Sequence, residues 1–214
     1  MKSILFLAIC ALLSLNGCNG YSVRGSGITK DETRDLGTFN SVDVSGAYMV
    51  KIAGSGRQKV QIIGDDNIIP LVSTRVENGT LKIFTQNNVK LNSKVEVRIS
   101  TPELQYIVTS GANDIWLKNF TGERLDVEAS GAGNIKLEGN TRWLNLDLSG
   151  AVKVYASNLN AENVRVDISG ASVADVYSSE ILDASISGVG SITYSGAPKE
   201  IKKDISGIGT IRQK

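Results

Sequence analysis

A Ser-Gly dipeptide followed by a small or β-branched residue recurs along the chain: Ser45-Gly46-Ala47, Ser110-Gly111-Ala112, Ser130-Gly131-Ala132, Ser149-Gly150-Ala151, Ser169-Gly170-Ala171, Ser187-Gly188-Val189 and Ser206-Gly207-Ile208. From Ser110 onward the serines are 20, 19, 20, 18 and 19 residues apart. A unit this short has no room for a helix beside its strands, so its apolar face can be covered only by the next unit. The repeat therefore predicts an all-β, right-handed parallel β-solenoid, the hand following from the strong crossover preference of parallel strands. Rungs should stack at about 4.7–4.9 Å.

The side chains before each serine alternate strictly. Five before it lie Leu125, Leu144, Val164, Leu182 and Ile201; three before lie Ile107, Val127, Leu146, Val166, Ala184 and, as an exception, Lys203; one before lie Thr109, Ala129, Leu148, Ile168, Ile186 and Ile205. Period two with one apolar face is the pattern of a strand buried on one side. After the serine the parity is read as switching. Two residues on stands Ala, Val or Ile, and five on stand Ile115, Ile135, Val154, Ala174, Ile192 and Ile211. The expectation is a corner at each Ser-Gly that keeps these side chains inward, with Gly46, Gly111, Gly131, Gly150, Gly170, Gly188 and Gly207 supplying positive φ. The polar remainder of each unit, such as Lys118–Glu123, Glu138–Arg142 and Ser157–Glu162, is expected to form an outer loop.

Residues 38–103 are less regular. They hold the first Ser-Gly unit, alternating strands over Lys59–Ile63 and Lys94–Ser100, one helical turn within Asp66–Leu71, and an Asn78-Gly79 hairpin turn. They read as an irregular, antiparallel N-terminal cap that shields the end of the regular coils at 104–214.

The N-terminus carries an address. Lys2 precedes an uninterrupted apolar run from Ile4 to Leu13, too short for the about 20 residues that span a bilayer. Leu15-Asn16-Gly17-Cys18 follows and resembles the bacterial lipobox. That resemblance implies cleavage before Cys18 and acylation of Cys18, with 1–17 as the lipoprotein signal peptide. An ordinary secretory signal with an incidental cysteine is the alternative. Two or more acyl chains anchor a protein stably where one does not. Residues 18–37 are polar and aperiodic and read as a flexible tether reaching about 25 Å from the lipid.

Composition removes several functions. With 23 Lys+Arg against 22 Asp+Glu, a net charge of +1, the chain lacks the basic footprint of a nucleic-acid partner. Histidine is absent, which removes the usual general base and the usual zinc ligand. The Gly-rich corners open no helix, so they do not form phosphate loops. No cofactor is expected.

Phe39–Gly46, the Asn78-Gly79-Thr80-Leu81 hairpin, Thr101-Pro102-Glu103-Leu104 and the serial Ser-Gly units together resemble the putative auto-transporter adhesin, head GIN domain family. The resemblance covers about residues 38–214. It implies a β-solenoid on an exported or lipid-anchored bacterial chain, and it brings no catalytic residues.

Two outward columns could carry chemistry. Asp43, Glu128, Asp147, Asp167 and Asp204 stand two before their serines. A calcium column is one reading, but calcium draws about 6–8 oxygens from one locality, and one carboxylate per rung does not supply them. A solvated acidic stripe eased by Arg165 and Lys202 is the plainer one. Six after the serine, Trp116, Lys136 and Tyr155 should stack on adjacent rungs. Such a strip suits a sugar face or a flat partner surface; equally, it could only stabilise an exposed sheet through cation–π and cross-strand contacts. The expectation is a non-enzymatic lipoprotein of the bacterial cell envelope, at the outer membrane, with an adhesin-like binding or scaffolding role. Its partners would be the membrane, through the lipid, and a surface protein or glycan. The alternative is a carbohydrate-active protein that binds or cleaves polysaccharide, since β-helices host such enzymes. Cleavage needs a paired acid and base in a groove, and the carboxylates here are periodic and scattered.

Overall fold

The computed structural model describes residues 21–85 and 89–214. Cys18 and the expected signal peptide lie outside the described residues. Strands β1 (Tyr21–Arg24), β2 (Thr29–Arg34), β3 (Ser41–Gly46), β4 (Met49–Ala53) and β5 (Lys59–Asp65) come first. A 3-10 turn at Ile69–Leu71 leads into β6 (Val72–Glu77), β7 (Thr80–Thr85), β8 (Val89–Asn92) and β9 (Glu96–Ser100). The regular part holds β10 (Tyr106–Gly111), β11 (Asp114–Ala129), β12 (Ala132–Leu148), β13 (Ala151–Ile168), β14 (Ala171–Ile186), β15 (Val189–Ser195), β16 (Glu200–Ile205) and β17 (Ile208–Gln213).

The windings stack as parallel ladders. On the face before the corner, Val42, Ile107, Val127, Leu146, Val166, Ala184 and Lys203 are direct partners on successive rungs. On the face after it, Val50, Ile115, Ile135, Val154, Ala174, Ile192 and Ile211 do the same. From Val42 to Ala184 the first column is at most 1% exposed. Each such side chain removed from water contributes about 1.5–3 kcal/mol, and only a neighbouring winding can remove it. The predicted β-solenoid is the observed fold.

The corner works differently from the sequence reading. The residue two after each serine faces solvent: Ala112, Ala132, Ala151 and Ala171 are exposed, and Ile208 is 73% exposed. The inward position is the third one, where Tyr48, Asn113, Val152 and Ser172 are buried. The inward parity is therefore kept from one side of the corner to the other, and the glycine between them is at most half-buried. Only Gly46 and Gly111 among the seven corner glycines have positive φ. The others are required by close approach. A Cβ on Gly131 would overlap Gly111 O, one on Gly150 would overlap Gly131 O, and one on Gly170 would overlap Gly150 O. The same carbonyls accept the next winding's amides, as in Ala151 N to Gly131 O at 2.8 Å and Ala171 N to Gly150 O at 2.9 Å. Backbone meets backbone at the corner, and no side chain fits between.

The expected outer loops are also ladder. Phe120 pairs Gly139, which pairs Leu159; Thr121 pairs Asn140, which pairs Asn160. Register shifts after Leu117 and Lys136 mark bulges where the chain turns onto this third side. Phe120 and Leu159 are buried, at 2% and 0%. A short side with one or two inward residues per winding shows no alternation long enough to read.

Two boundaries shift. Within the expected tether, β2 pairs antiparallel with β5 and β1 pairs parallel with β8. β2 is an outer edge strand, exposed on nearly every residue, so its backbone pairs without the apolar alternation that marks a strand. The cap is not simply antiparallel either. β7 pairs parallel with β3, and β9 pairs parallel with β4, extending the stack by one more winding beneath the first Ser-Gly unit. Beyond it, β6 on β7 and β5 on β9 are antiparallel. Asn78 (φ 50°) and Gly79 (φ 74°) make the β6–β7 turn, both in the left-handed region that a tight hairpin requires.

Candidate aromatic and cationic binding face

Alternation places the strip. Ile115 and Leu117 are buried on either side of Trp116, Ile135 and Leu137 flank Lys136, and Val154 and Ala156 flank Tyr155. The three intervening side chains must point outward. Register brings them together: Trp116 is the rung partner of Lys136, and Lys136 of Tyr155. Trp116 is 37% and Tyr155 48% exposed.

The column continues past the predicted residues. Below Trp116 it runs through Lys51 to Arg98, because β4 pairs β11 on one side and β9 on the other. Above Tyr155 it runs through Asp175 and Thr193 to Arg212. The Lys51 ammonium lies 5.4 Å from the centre of the Trp116 ring, a cation–π contact. It also donates to Glu96 Oε2 at 2.8 Å, while Arg98 Nε donates to Glu96 Oε1 at 2.5 Å. Partial burial pushes the Glu96 carboxyl up, and the hydrogen bonds and charges of Lys51 and Arg98 outweigh it, leaving the group below the usual carboxylate range. Lys136 donates to Glu138 at 2.7 Å and lowers that carboxyl, with Lys118 adding to the effect.

At the lower end of the strip these groups wall a cleft of about 450 Å³, lined by Lys51, Arg98, Ser100, Trp116, Lys118 and Asn119. Arg98 and Lys118 were not candidates in the sequence. Arg98 sits in a cap strand outside the repeat, so its place in the column depends on the β9–β4 pairing. Lys118 follows Leu117 inside the bulge, where the repeat reads as loop.

The acidic column is also in register: Asp43, Val108, Glu128, Asp147, Asp167, Ser185 and Asp204 follow one another rung by rung. Arg165 Nε bonds Asp167 Oδ2 at 2.7 Å. Among the described residues no three His, Cys, Asp or Glu side chains converge as a metal site would require. On the third side a polar groove of about 580 Å³ holds Glu123, Asn140, Arg142, Asn160, Glu162 and Tyr177. Glu123 and Glu162 are 86% and 57% exposed and both lie 3.8 Å from Arg142. Neither has the apolar pocket that sets a general acid apart from its partner base. Among the described residues no helix is long and apolar enough to cross a membrane.

The chain is similar over most of its length to solved structures. A putative adhesin from Bacteroides fragilis is 27% identical, with a TM-score of 0.76 over 90% of this chain and 100% of that one. A putative adhesin from Parabacteroides merdae (16% identical, TM-score 0.55, 90% and 99% covered) and a putative lipid binding protein from Parabacteroides distasonis (20%, 0.52, 91% and 100%) share the fold. No curated protein matches the chain significantly. The family model described as putative auto-transporter adhesin, head GIN domain, matches residues 38–198, which hold β3 to β15, and the chain belongs to that family.

Proposed function

We propose that the protein is a non-enzymatic, adhesin-like binding protein of the bacterial cell envelope, anchored in the outer membrane by acyl groups on Cys18. Its contact surface is the strip of Trp116, Lys136 and Tyr155. The observation that carries this reading is their register. Three side chains suited to partner contact stand on adjacent rungs of a sheet whose inner face is dry. Such a surface is already ordered before it meets a partner, so less conformational entropy is lost on binding. Aromatic rings in that setting supply contact area at low rotamer cost.

The test uses producing cells. Metabolic acyl labelling should mark the wild type and not Cys18→Ala; label persisting in the variant contradicts the anchor. Attachment of cells to a panel of immobilised glycans and cell-surface proteins should fall in Trp116→Ala at equal surface abundance. Undiminished attachment, or release of cleaved sugar from the glycans, contradicts the reading.

A further inference from the structure

Resting on that reading, we infer that the cleft at the lower end of the strip selects an acidic polysaccharide, one whose pyranose rings carry carboxylate or sulfate groups. The charge there is local. Lys51, Arg98 and Lys118 line the cleft; counting Lys136 one rung up and the paired carboxylates Glu96 and Glu138, the balance is four cations against two carboxylates in a chain whose whole balance is +1. Glu96 is shared by Lys51 and Arg98, so its single charge answers two. Arg98 keeps 56% of its side chain exposed beside the cleft. A guanidinium in that position offers a planar fork to a carboxylate or sulfate.

The aromatic spacing favours a sugar polymer. Trp116 and Tyr155 are two rungs apart with Lys136 between them, so ring follows ring after about 9–10 Å along the stacking axis. A pyranose has an apolar C–H face and a polar rim; the face suits an aromatic ring, and the anionic substituent suits the ammonium or guanidinium beside it. Ile52 and Ile99 line the same cleft but are buried to 2%. Within the cleft the exposed apolar surface is therefore the Trp116 ring, without the aliphatic core typical of a protein interface. The strip rises from the cleft across successive rungs, Trp116 to Lys136 to Tyr155, so a polymer can continue from the cleft up the strip.

The experiment measures binding of the full lipoprotein, purified in detergent, to paired polymers: polygalacturonate against its methyl ester, and dextran sulfate against dextran. Single-stranded DNA serves as a polyanion without pyranose rings. The acidic member of at least one pair should bind at least about tenfold tighter than its neutral partner. Which pair responds distinguishes carboxylate from sulfate. That affinity should fall about tenfold as salt rises from about 0.05 to 0.5 M. Arg98→Gln with Lys118→Gln should cut the preference for the acidic over the neutral polymer about tenfold. Trp116→Ala should weaken both, and Arg142→Gln in the polar groove should weaken neither. Equal affinity for acidic and neutral polymers, insensitivity to the two charge changes, or DNA binding as tight as the acidic glycan overturns the selectivity. Those results leave Trp116-dependent attachment of cells standing, whereas loss of that dependence removes the binding strip itself.

Discussion

At the N-terminal end of the stack the outermost strands, β6 and β2, run antiparallel to their neighbours, and β2 presents Thr29, Lys30, Asp31, Glu32 and Thr33 to water. At the other end β16 and β17 run parallel on β14 and β15, and among the described residues nothing covers them. The inward column closes there with Lys203 instead of an aliphatic side chain. Its ammonium lies 3.2 Å from Tyr194 Oη, 3.3 Å from Ile211 O and 4.8 Å from the Tyr194 ring centre. Ile201 and Ile205 remain 44% exposed. One end reverses strand direction and buries its core; the other leaves its last winding half wet and places a charge in the inward row. Both devices protect an open sheet edge from adding another strand, but only the first also adds burial. Stability should therefore be graded along the stack.

The sharpest way to break that comparison is the same lesion at two heights. Gly170→Ala forces a Cβ onto the Gly150 and Ser149 backbone from the middle of the stack, and should cost more than about 3 kcal/mol, seen as a collapse of the urea midpoint. Gly207→Ala makes the same clash with Gly188 but needs only the last winding to lift; its global midpoint should move by less than about 1 kcal/mol. Truncating the inward row repeats the contrast more gently. Ile186→Ala, fully buried, should lose about 2–5 kcal/mol, and its rung partner Ile205→Ala less than about 1 kcal/mol.

Acid should act on the capped side. Burial raises the Asp126 carboxyl, but hydrogen bonds from Arg124 (2.7 and 2.8 Å) and Asn145 (2.6 Å) outweigh it and leave it below the ordinary value. Glu77 and Glu96, in the cap, are also lowered. A lowered carboxyl stabilises the fold fully above its unfolded pKa, about 3.9 for Asp, and that contribution is lost as pH falls through the folded value. Asp126→Asn should lose about 1–2 kcal/mol at pH 7 and show a smaller drop in Tm than wild type between about pH 6 and 3. The smallest expected effect on the monomer is Lys203→Leu, within about 1 kcal/mol. Sedimentation should instead show concentration-dependent association through the unprotected end.

Much of this was readable in the residues because the repeat imposes one inward row per face. Leu146, Val166 and Ala184 identify their rung partners by spacing alone, and Lys203 is visible as the break in its column. Other features were hidden for physical reasons. The corner parity is hidden because a row of Ala, Val and Ile two after the serine looks apolar while facing water, and the corner glycine carries no hydrophobic signal. β2 leaves no signal because an edge strand contributes backbone pairing without burial. Trp116, Lys136 and Tyr155 follow from the repeat, whereas Arg98 joins them only through a parallel pairing between β4 and β9, whose intervening chain folds into cap strands before returning.

Native-state hydrogen exchange read along the chain tests the graded stack most directly. The account predicts that amides of β16 and β17 exchange first, at low denaturant. Those of β14 and β15 should follow, and the windings from β3 to β13 should exchange last, only with global unfolding. Equal protection of β16–β17 and β11–β13, or earlier opening at β7 and β9 than at the C-terminal winding, would contradict it.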